Sequence, residues 1–246
     1  MLTGHKRAAL QFSGGKDSTA LLLQARPWLD RITVYFVNTG VMLPEQRDFV
    51  QRTIQSLNAT VRIIQTDVAA FTEKYGTPAD IVPLESTFFM APAMNLRDMP
   101  PGKVVAYSDC CGANIWHPLM DAIRGDGHTL VLRGNKACDS RRMPDMKFEG
   151  IEFRNPLWTW SDEDVFRFLA EEGVALPPWY SHGCDSFDCW LCTAHLPYGG
   201  APRLAFLRRN HPGMFDIVKD RLRTIDRHIE YHARRMSAAL EEALED

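Results

Sequence analysis

The chain has no long uninterrupted apolar run, which argues against a membrane-spanning helix, since such a helix needs about 20 apolar residues. It also has no strong charge imbalance, because 28 basic and 31 acidic side chains leave a formal net charge of −3 in 246 residues. A general affinity for nucleic acid is therefore not indicated, although a local basic face is compatible with this balance. The N-terminal segment has no apolar stretch typical of a signal peptide, so we expect a cytoplasmic protein without membrane association.

Cysteine is absent from the first hundred residues, and the six cysteines all follow. Six cysteines in a chain expected to stay in a reducing compartment do not suggest a disulfide scaffold. Four of them form two close groups, DCCG at 109–112 and DCWLCT at 188–193. This clustering predicts a metal site, while Cys138 and Cys184 remain unassigned.

Strand-like and helix-like segments alternate along most of the chain. Apolar and β-branched runs predict strands at 8–12, 31–37, 61–64 and 128–134. Helical patterns or helix-capping residues predict helices at 17–24, 44–57, 118–124 and 161–173. The alternation predicts an α/β fold with a parallel twisted sheet and flanking helices.

Two segments depart from this alternation. The proline-rich segment 76–103 predicts a loop or short excursion over the active face. From Pro212 onward, apolar residues at steps of three and four predict a long amphipathic helix that either packs on the domain or forms a homodimer. We therefore expect a sheet domain at 1–175 and, at 176–246, a C-terminal extension with a cysteine motif and this helix.

The segment QFSGGKDS, at 11–18, joins the first predicted strand to the first predicted helix. Glycines at such a turn let backbone N–H groups converge, and the helix dipole favours a bound anion. The segment is not a Walker A loop, because Leu10 stands where the first glycine is needed and Asp17 where Ser or Thr follows the lysine. The pattern therefore indicates a phosphate site of another kind, although a simple glycine-rich turn is the structural alternative.

SGGKDS resembles the PP-loop of the adenine nucleotide alpha hydrolase superfamily, whose members typically split ATP into AMP and pyrophosphate. The resemblance implies that four residues cradle phosphates: Ser13, Gly14, Gly15 and Ser18. It further implies that Lys16 balances developing negative charge and that Asp17 helps to place Mg²⁺. Lys16, Asp17 and Ser18 are thus the predicted catalytic residues.

Three further segments resemble the phosphoadenosine phosphosulfate (PAPS) reductase-like branch of that superfamily. They are VNTGVMLPE (37–45), HTLVLRGNKACDSRR (128–142) and FRNPLWTWSDEDVFRFL (153–169), and the resemblance as a whole covers about residues 8–196. It implies nucleotide contacts from Thr39, Gly40, Arg133, Gly134, Lys136 and Arg142. The basic residues at 133–142, Arg141 included, are alternatively a solvated loop or contacts to nucleic acid.

The two cysteine groups resemble the ligand set of iron–sulfur sulfonucleotide reductases and of related thiolating PP-loop proteins. The resemblance implies a [4Fe–4S] cluster bound by four thiolates, those of Cys110, Cys111, Cys189 and Cys192. A structural zinc ion is the main alternative, with Cys184, Cys189 and Cys192 joined by His182 or His195. Simple buried thiols are the remaining interpretation.

The sequence departs from the reductase pattern in two places. No cysteine follows Cys192, whereas the reductases have a nucleophilic cysteine on a C-terminal tail, and Asn114 and Ile115 replace their basic pair. These departures favour an ATP pyrophosphatase that uses ATP and Mg²⁺ to adenylate an acceptor oxygen for sulfur insertion.

The acceptor predicted by the resemblance is DNA. The chain resembles the ATP pyrophosphatase component of bacterial DNA phosphorothioation systems, in which a backbone phosphate oxygen is modified and a partner such as a cysteine desulfurase supplies sulfur. Three other functions stay open: an iron–sulfur sulfonucleotide reductase, a tRNA thiolation enzyme and a noncatalytic nucleotide-binding adaptor subunit.

Overall fold

The computed structural model describes residues 1–57, 59–82, 104–139, 146–184, 187–194, 196 and 200–245. The strands are β1 (Ala8–Gln11), β2 (Ile32–Asn38), β3 (Thr60–Gln65), β4 (Thr77–Ala79), β5 (Val104–Ala106), β6 (Leu130–Leu132), β7 (Met146–Phe148) and β8 (Ile151–Arg154). The α-helices are α1 (Lys16–Gln24), α2 (Pro44–Ser56), α3 (Val68–Tyr75), α4 (Tyr107–Cys111), α5 (His117–Gly125), α6 (Asp162–Glu171), α7 (Gly200–Asn210) and α8 (Pro212–Glu245). Short 3-10 helices span Arg26–Arg31 and Pro178–His182, and a π-helical turn at Gly112–Trp116 joins α4 to α5.

The main sheet has the strand order β3-β2-β1-β6-β8-β7. All neighbouring pairs are parallel except β7 and β8, which form an antiparallel edge. The α/β prediction is therefore confirmed, and the antiparallel edge is an addition to it. Strands β1 to β3 follow one another toward one edge of the sheet, whereas β6 and β8 follow one another toward the other edge, so the strand order reverses between β1 and β6. In α/β sheets, a crevice for ligands forms at such a point, at the carboxyl ends of the strands.

Side chains alternate between the two faces of the sheet and form separate cores. Ala8 and Leu10 of β1 pack in one cluster with residues of α1 and α6, whereas Ala9 packs in a second cluster with Leu119 and Ile123 of α5. This alternation is the two-residue period expected of a strand. Helices on both faces thus bury β1 and fix the loop that follows it.

The prediction of a loop over 76–103 is wrong at its start. Thr77–Ala79 forms β4, which pairs in parallel with β5 just before the helix that contains Cys110 and Cys111. Three residues with a central proline give little strand signal, so this pairing depends on tertiary contacts. Residues 83–103 lie outside the described part of the chain.

The predicted long C-terminal helix is confirmed as α8, which runs for 34 residues from Pro212. Trp179, Phe206 and Val218 of the extension pack together with Leu43, the residue that precedes α2. The extension therefore packs against the sheet domain, and the boundary at residue 175 stays a prediction. Among the described helices, none is both long and apolar enough to cross a membrane.

Candidate nucleotide cleft and cysteine centre

A cleft of about 410 Å³ lies at the carboxyl ends of β1, β2 and β6. Its polar lining includes several residues of the predicted phosphate site: Ser13, Asp17, Ser18, Thr39, Arg133 and Gly134. Aromatic and aliphatic side chains form much of the remaining wall, among them Phe12, Phe36, Trp116 and Leu119. A cleft with an apolar wall and a few grouped polar residues is typical of a small-molecule site.

The loop between β1 and α1 is tightly folded. Gly14 has φ +80, and a Cβ atom there would lie 2.3 Å from Cγ2 of Val50, so this position requires glycine. The hydroxyl oxygens of Ser13 and Ser18 are 3.2 Å apart, and Ser18 Oγ donates to the carbonyl of Gly15 at 3.1 Å. The two hydroxyls are therefore held together at the N-terminus of α1, where an anion binds favourably.

Two buried lysines and three aspartates form an ion-pair network beside this loop. Lys16 Nζ is 3.0 Å from Asp17 Oδ2 and 3.0 Å from Asp162 Oδ1. Lys136 Nζ is 2.6 Å from Asp17 Oδ1, 2.9 Å from Asp139 Oδ2 and 3.2 Å from Asp162 Oδ1. Burial opposes the charged form of both lysines, but the carboxylates outweigh burial and raise the pKa of each.

The network connects the loop after β1 to the loop after β6. Both oxygens of Asp17 contact a lysine, and neither Lys16 nor Lys136 lines the cleft. The structure therefore brings the predicted residues together, but it pairs the lysines with carboxylates. The role of Asp17 in placing Mg²⁺ stays a prediction.

Sequence analysis missed three residues of this region: Asp139, Asp162 and Tyr180. Asp162 is the first residue of α6, directly after the N-cap residue Ser161. Tyr180 gave no local signal, because it lies 164 residues from its partner: its hydroxyl accepts a hydrogen bond from the backbone N–H of Lys16 at 2.9 Å. Burial raises the pKa of Tyr180, so the hydroxyl keeps its proton and can still donate to a bound anion.

Of the remaining predicted nucleotide contacts, Arg133 and Gly134 line the cleft, and Gly40 does not. A Cβ atom at Gly134 would lie 3.0 Å from the carbonyl carbon of Asp17, so glycine permits the loop after β6 to approach α1. The guanidinium of Arg133 lies 4.8 Å from the ring centroid of Phe153. Gly40, with φ +79, donates its N–H to Asn38 Oδ1 at 3.1 Å. Arg142 and Arg141 lie outside the described residues.

The four predicted cluster ligands line one small cavity of about 20 Å³. Cys110 and Cys111 are the last two residues of α4, and Cys189 and Cys192 belong to the segment 187–194. Burial raises the pKa of Cys110 and Cys189 to about 12 and that of Cys111 to about 11, and the neighbouring cysteines add to the effect. The thiols are therefore close enough to influence one another's ionisation.

The chemistry of these donors fits an iron–sulfur cluster. Four soft sulfur donors lie among apolar side chains such as Val68 and Leu191, and Cys192 Sγ accepts a hydrogen bond from the N–H of Ala194 at 3.4 Å. Apolar surroundings and N–H···S hydrogen bonds are the means by which proteins tune such clusters. Within the described ranges, no three His, Cys, Asp or Glu residues are arranged to bind a single metal ion.

The alternative zinc ligands are not brought together among the described residues. Cys184 packs with Trp179 and Phe187 and does not line the cavity of the four cysteines. His182 Nδ1 lies 3.0 Å from the carbonyl oxygen of Pro178. His195 is outside the described part of the chain.

The cleft and the cysteine cavity are neighbours. Ile115 lines both of them. Thr39 lines the cleft, and its Oγ1 accepts a hydrogen bond from Cys189 Sγ at 3.4 Å. A molecule bound in the cleft would therefore be separated from the cysteine centre by single side chains.

Comparisons with known proteins identify one matching family. A sequence model of the phosphoadenosine phosphosulfate reductase domain matches residues 7–195. The adenosine 5'-phosphosulfate reductase of Rhizobium tropici is 24% identical over 176 residues, which cover 68% of this chain and 86% of that protein. The adenosine 5'-phosphosulfate reductase of Allochromatium vinosum is 28% identical over 101 residues, 39% of this chain. An uncharacterised protein of Methanocaldococcus jannaschii is 22% identical over 193 residues, 75% of this chain.

The chain spans 40% and 41% of the length of the last two relatives. Among solved structures, PAPS reductase from Candida auris in a phosphate complex aligns with a TM-score of 0.53 and 16% identity, covering 74% of this chain and 81% of that one. This likeness supports the fold alone. Since the sequence match extends from β1 to the second cysteine pair, the chain belongs to the phosphoadenosine phosphosulfate reductase domain family, within the PAPS reductase-like branch of the PP-loop proteins.

Proposed function

We propose that this protein is an ATP pyrophosphatase that adenylates an acceptor oxygen so that sulfur can replace it. The observation that supports this best is the contact between the two sites, since Thr39 and Ile115 join the phosphate-loop cleft to the four-cysteine cavity. Adenylation and sulfur insertion must follow each other at one acceptor group. Adjacent sites for the two steps are what such a sequence requires.

The loop residues are suited to bind the departing pyrophosphate. Backbone N–H groups at the start of α1, together with the Ser13 and Ser18 hydroxyls, can donate to phosphate oxygens. Lys16 would stabilise the negative charge that develops on the departing pyrophosphate, once a phosphate oxygen replaces Asp162 as its ion-pair partner. Asp162 can be displaced in this way, because its side chain is 46% exposed.

The reaction has two displacement steps. The acceptor oxygen attacks the α-phosphorus of ATP, the bond from that phosphorus to the α,β-bridging oxygen breaks, and pyrophosphate leaves with the electron pair. A sulfur nucleophile then attacks the atom that bears the adenylated oxygen, and AMP leaves. Mg²⁺, placed by Asp17, would neutralise part of the phosphate charge in the first step.

The cysteine centre would serve the second step. Cys110, Cys111, Cys189 and Cys192 would hold a [4Fe–4S] cluster, which when bound supplies redox-active iron and inorganic sulfide next to the cleft. We further propose that the acceptor is a DNA phosphate oxygen and that a separate sulfur donor, such as a cysteine desulfurase, acts with the protein. The supporting argument for these partners is the resemblance to DNA phosphorothioation components.

Sulfonucleotide reduction is the second candidate function, because relatives such as that of Rhizobium tropici are adenosine 5'-phosphosulfate reductases. One local observation disfavours it. Asn114 is buried and donates to the Cys110 carbonyl at 3.0 Å, and Ile115 is apolar, so no positive charge stands where the reductases have a basic pair. A sulfonucleotide would therefore lack these cationic contacts.

Anaerobic incubation with ATP and Mg²⁺, with and without duplex DNA, tests the proposal by measuring AMP and pyrophosphate. We expect both products in equal amounts, and we expect Lys16→Met to reduce their rate at least about a hundredfold, as loss of an oxyanion-stabilising donor does. Lys219→Met is the control, since Lys219 pairs with Asp216 on α8 and does not line the cleft. Absence of ATP cleavage, together with sulfite release from adenosine 5'-phosphosulfate and a thiol donor, would establish the reductase instead.

A further inference from the structure

Helix α8 begins after the family match ends at residue 195, yet it reaches the cysteine centre. Arg221 of α8 donates a hydrogen bond from Nη2 to Thr72 Oγ1 at 2.8 Å. Thr72 is itself one of the residues that line the cavity of the four cysteines. The C-terminal extension therefore places a guanidinium at the cavity wall.

This guanidinium is incompletely satisfied. The Nη1 atom of Arg221 is buried and has no hydrogen-bond partner among the described residues. Burial lowers the pKa of Arg221, and the nearby Cys110 and Cys192 act in the opposite direction. The side chain nevertheless stays protonated, because arginine retains its charge in proteins. A buried cation with an unused donor is costly unless a negative partner is present.

We propose that Arg221 is a fixed positive charge that offsets the negative charge of the group bound by the four cysteines. The inference depends on the proposed cluster, because four thiolates around such a group leave a net negative charge. Reduction adds one more negative charge. A fixed cation at the cavity wall therefore stabilises the reduced form more than the oxidised form and raises the reduction potential.

Arg203 contacts the same centre in a different way, which gives a useful contrast. Its Nη2 donates to the backbone carbonyl of Cys189 at 2.5 Å, and its guanidinium lies 5.2 Å from the ring centroid of Phe187. Arg203 thus holds the backbone of the Cys189–Cys192 segment. Within the described residues, Arg221 donates no hydrogen bond to the backbone of that segment, so its contribution is electrostatic.

Reconstituted wild type, Arg221→Met, Arg221→Lys and Arg223→Met would be compared by redox titration followed by electron paramagnetic resonance. Arg223 is the matched control, since it is exposed on the same helix and pairs with Asp220 at 3.2 Å. We expect Arg221→Met to make reduction at least about tenfold less favourable, a fall of about 59 mV for one electron. Arg221→Lys should stay close to wild type, and Arg223→Met should not change the potential.

Thermal unfolding of the iron-free and reconstituted proteins distinguishes this role from simple packing. Arg221→Met should leave the Tm of the iron-free protein unchanged or higher, and should lower the Tm of the reconstituted protein. Equal losses in both forms, or an unchanged potential in a protein that binds iron, would overturn the role of Arg221 alone. Failure of wild type to bind iron and sulfide at all would overturn the proposed cluster and this inference together.

Discussion

At the scale of single residues, Asp162 determines how the two buried lysines are paired. Its Oδ1 atom lies 3.0 Å from Lys16 Nζ and 3.2 Å from Lys136 Nζ. Burial opposes ionisation of Asp162, but the two lysines outweigh it and lower the pKa of this carboxyl. The carboxylate thus pairs with both cations.

The lowered pKa of Asp162 gives a stability contribution that depends on pH. The contribution is present above the ordinary aspartate pKa, about 3.9, and is lost as pH falls through the lower folded value. Asp162→Asn should cost about 1 kcal/mol at pH 7, a small value because solvent screens a side chain that is 46% exposed. Urea unfolding from pH 7 to pH 3 should show that the difference from wild type shrinks only below about pH 4.

Glu163→Gln is the control for this experiment. Glu163 is exposed in the same first turn of α6 and, within the described part of the chain, forms no ion pair with Lys16 or Lys136. Its substitution removes a charge near the helix N-terminus without touching the network. A difference between wild type and Asp162→Asn that does not change with pH would contradict the assigned role of the carboxylate.

At the scale of elements, α8 has two different halves. Its first half packs on the domain through the buried Val218. In its second half three apolar residues form an exposed stripe: Met236, Leu240 and Leu244 are 70%, 62% and 76% exposed. Several basic side chains of the helix pair with acids on the helix itself: Lys219 with Asp216, Arg223 with Asp220 and Arg234 with Glu230. These pairs neutralise part of the basic charge of the helix and leave the exposed stripe available for self-association.

The homodimer, which the sequence leaves as an alternative to packing on the domain, can be tested on this stripe. Leu240→Glu would place a charge in an apolar contact, which we expect to cost about 3 kcal/mol and to weaken association roughly a hundredfold. Sedimentation over a range of concentrations measures the change. Ala238→Glu lies on the opposite side of the helix and should not alter association. A wild-type protein that stays monomeric would show that the stripe has another use.

At the scale of the whole molecule, the two halves of the proposed reaction belong to adjacent but separate groups of residues. The residues of the phosphate loop and its ion pairs line or adjoin the cleft, whereas the four cysteines line their own cavity. Ile115 and Thr39 connect them. Damage to one site should therefore leave the chemistry of the other in place.

Cys192→Ser tests this separation. The variant, like wild type treated with an iron chelator, should form AMP and pyrophosphate within about fivefold of the wild-type rate, because a change of about 1 kcal/mol or less is expected at the cleft. It should lose sulfur incorporation into the acceptor. The exposed Cys138→Ser variant is the control for cysteine loss. Equal loss of both activities would show that the cysteine centre also shapes the cleft.

Sequence alone determined the features that depend on local patterns. Alternating apolar segments predicted the parallel sheet, the glycines and serines at 13–18 predicted the anion site, and the spacing of apolar residues from Pro212 predicted α8. The last two signals are each contained in fewer than about forty consecutive residues, and the first is a repetition of short local patterns. Backbone preferences and periodicity are therefore sufficient to reveal them.

Tertiary structure alone decided which distant residues meet. The pairing of β4 with β5, the hydrogen bond from Lys16 to Tyr180, and the bridge by Asp162 join segments far apart in the chain. The same holds for Arg221, which reaches Thr72 across 149 positions. Contacts of this kind arise when packing brings elements together, and no periodicity within one element encodes its partner. The sequence therefore predicted the phosphate loop and the four grouped cysteines, and the fold decided that the cleft and the cysteine cavity adjoin.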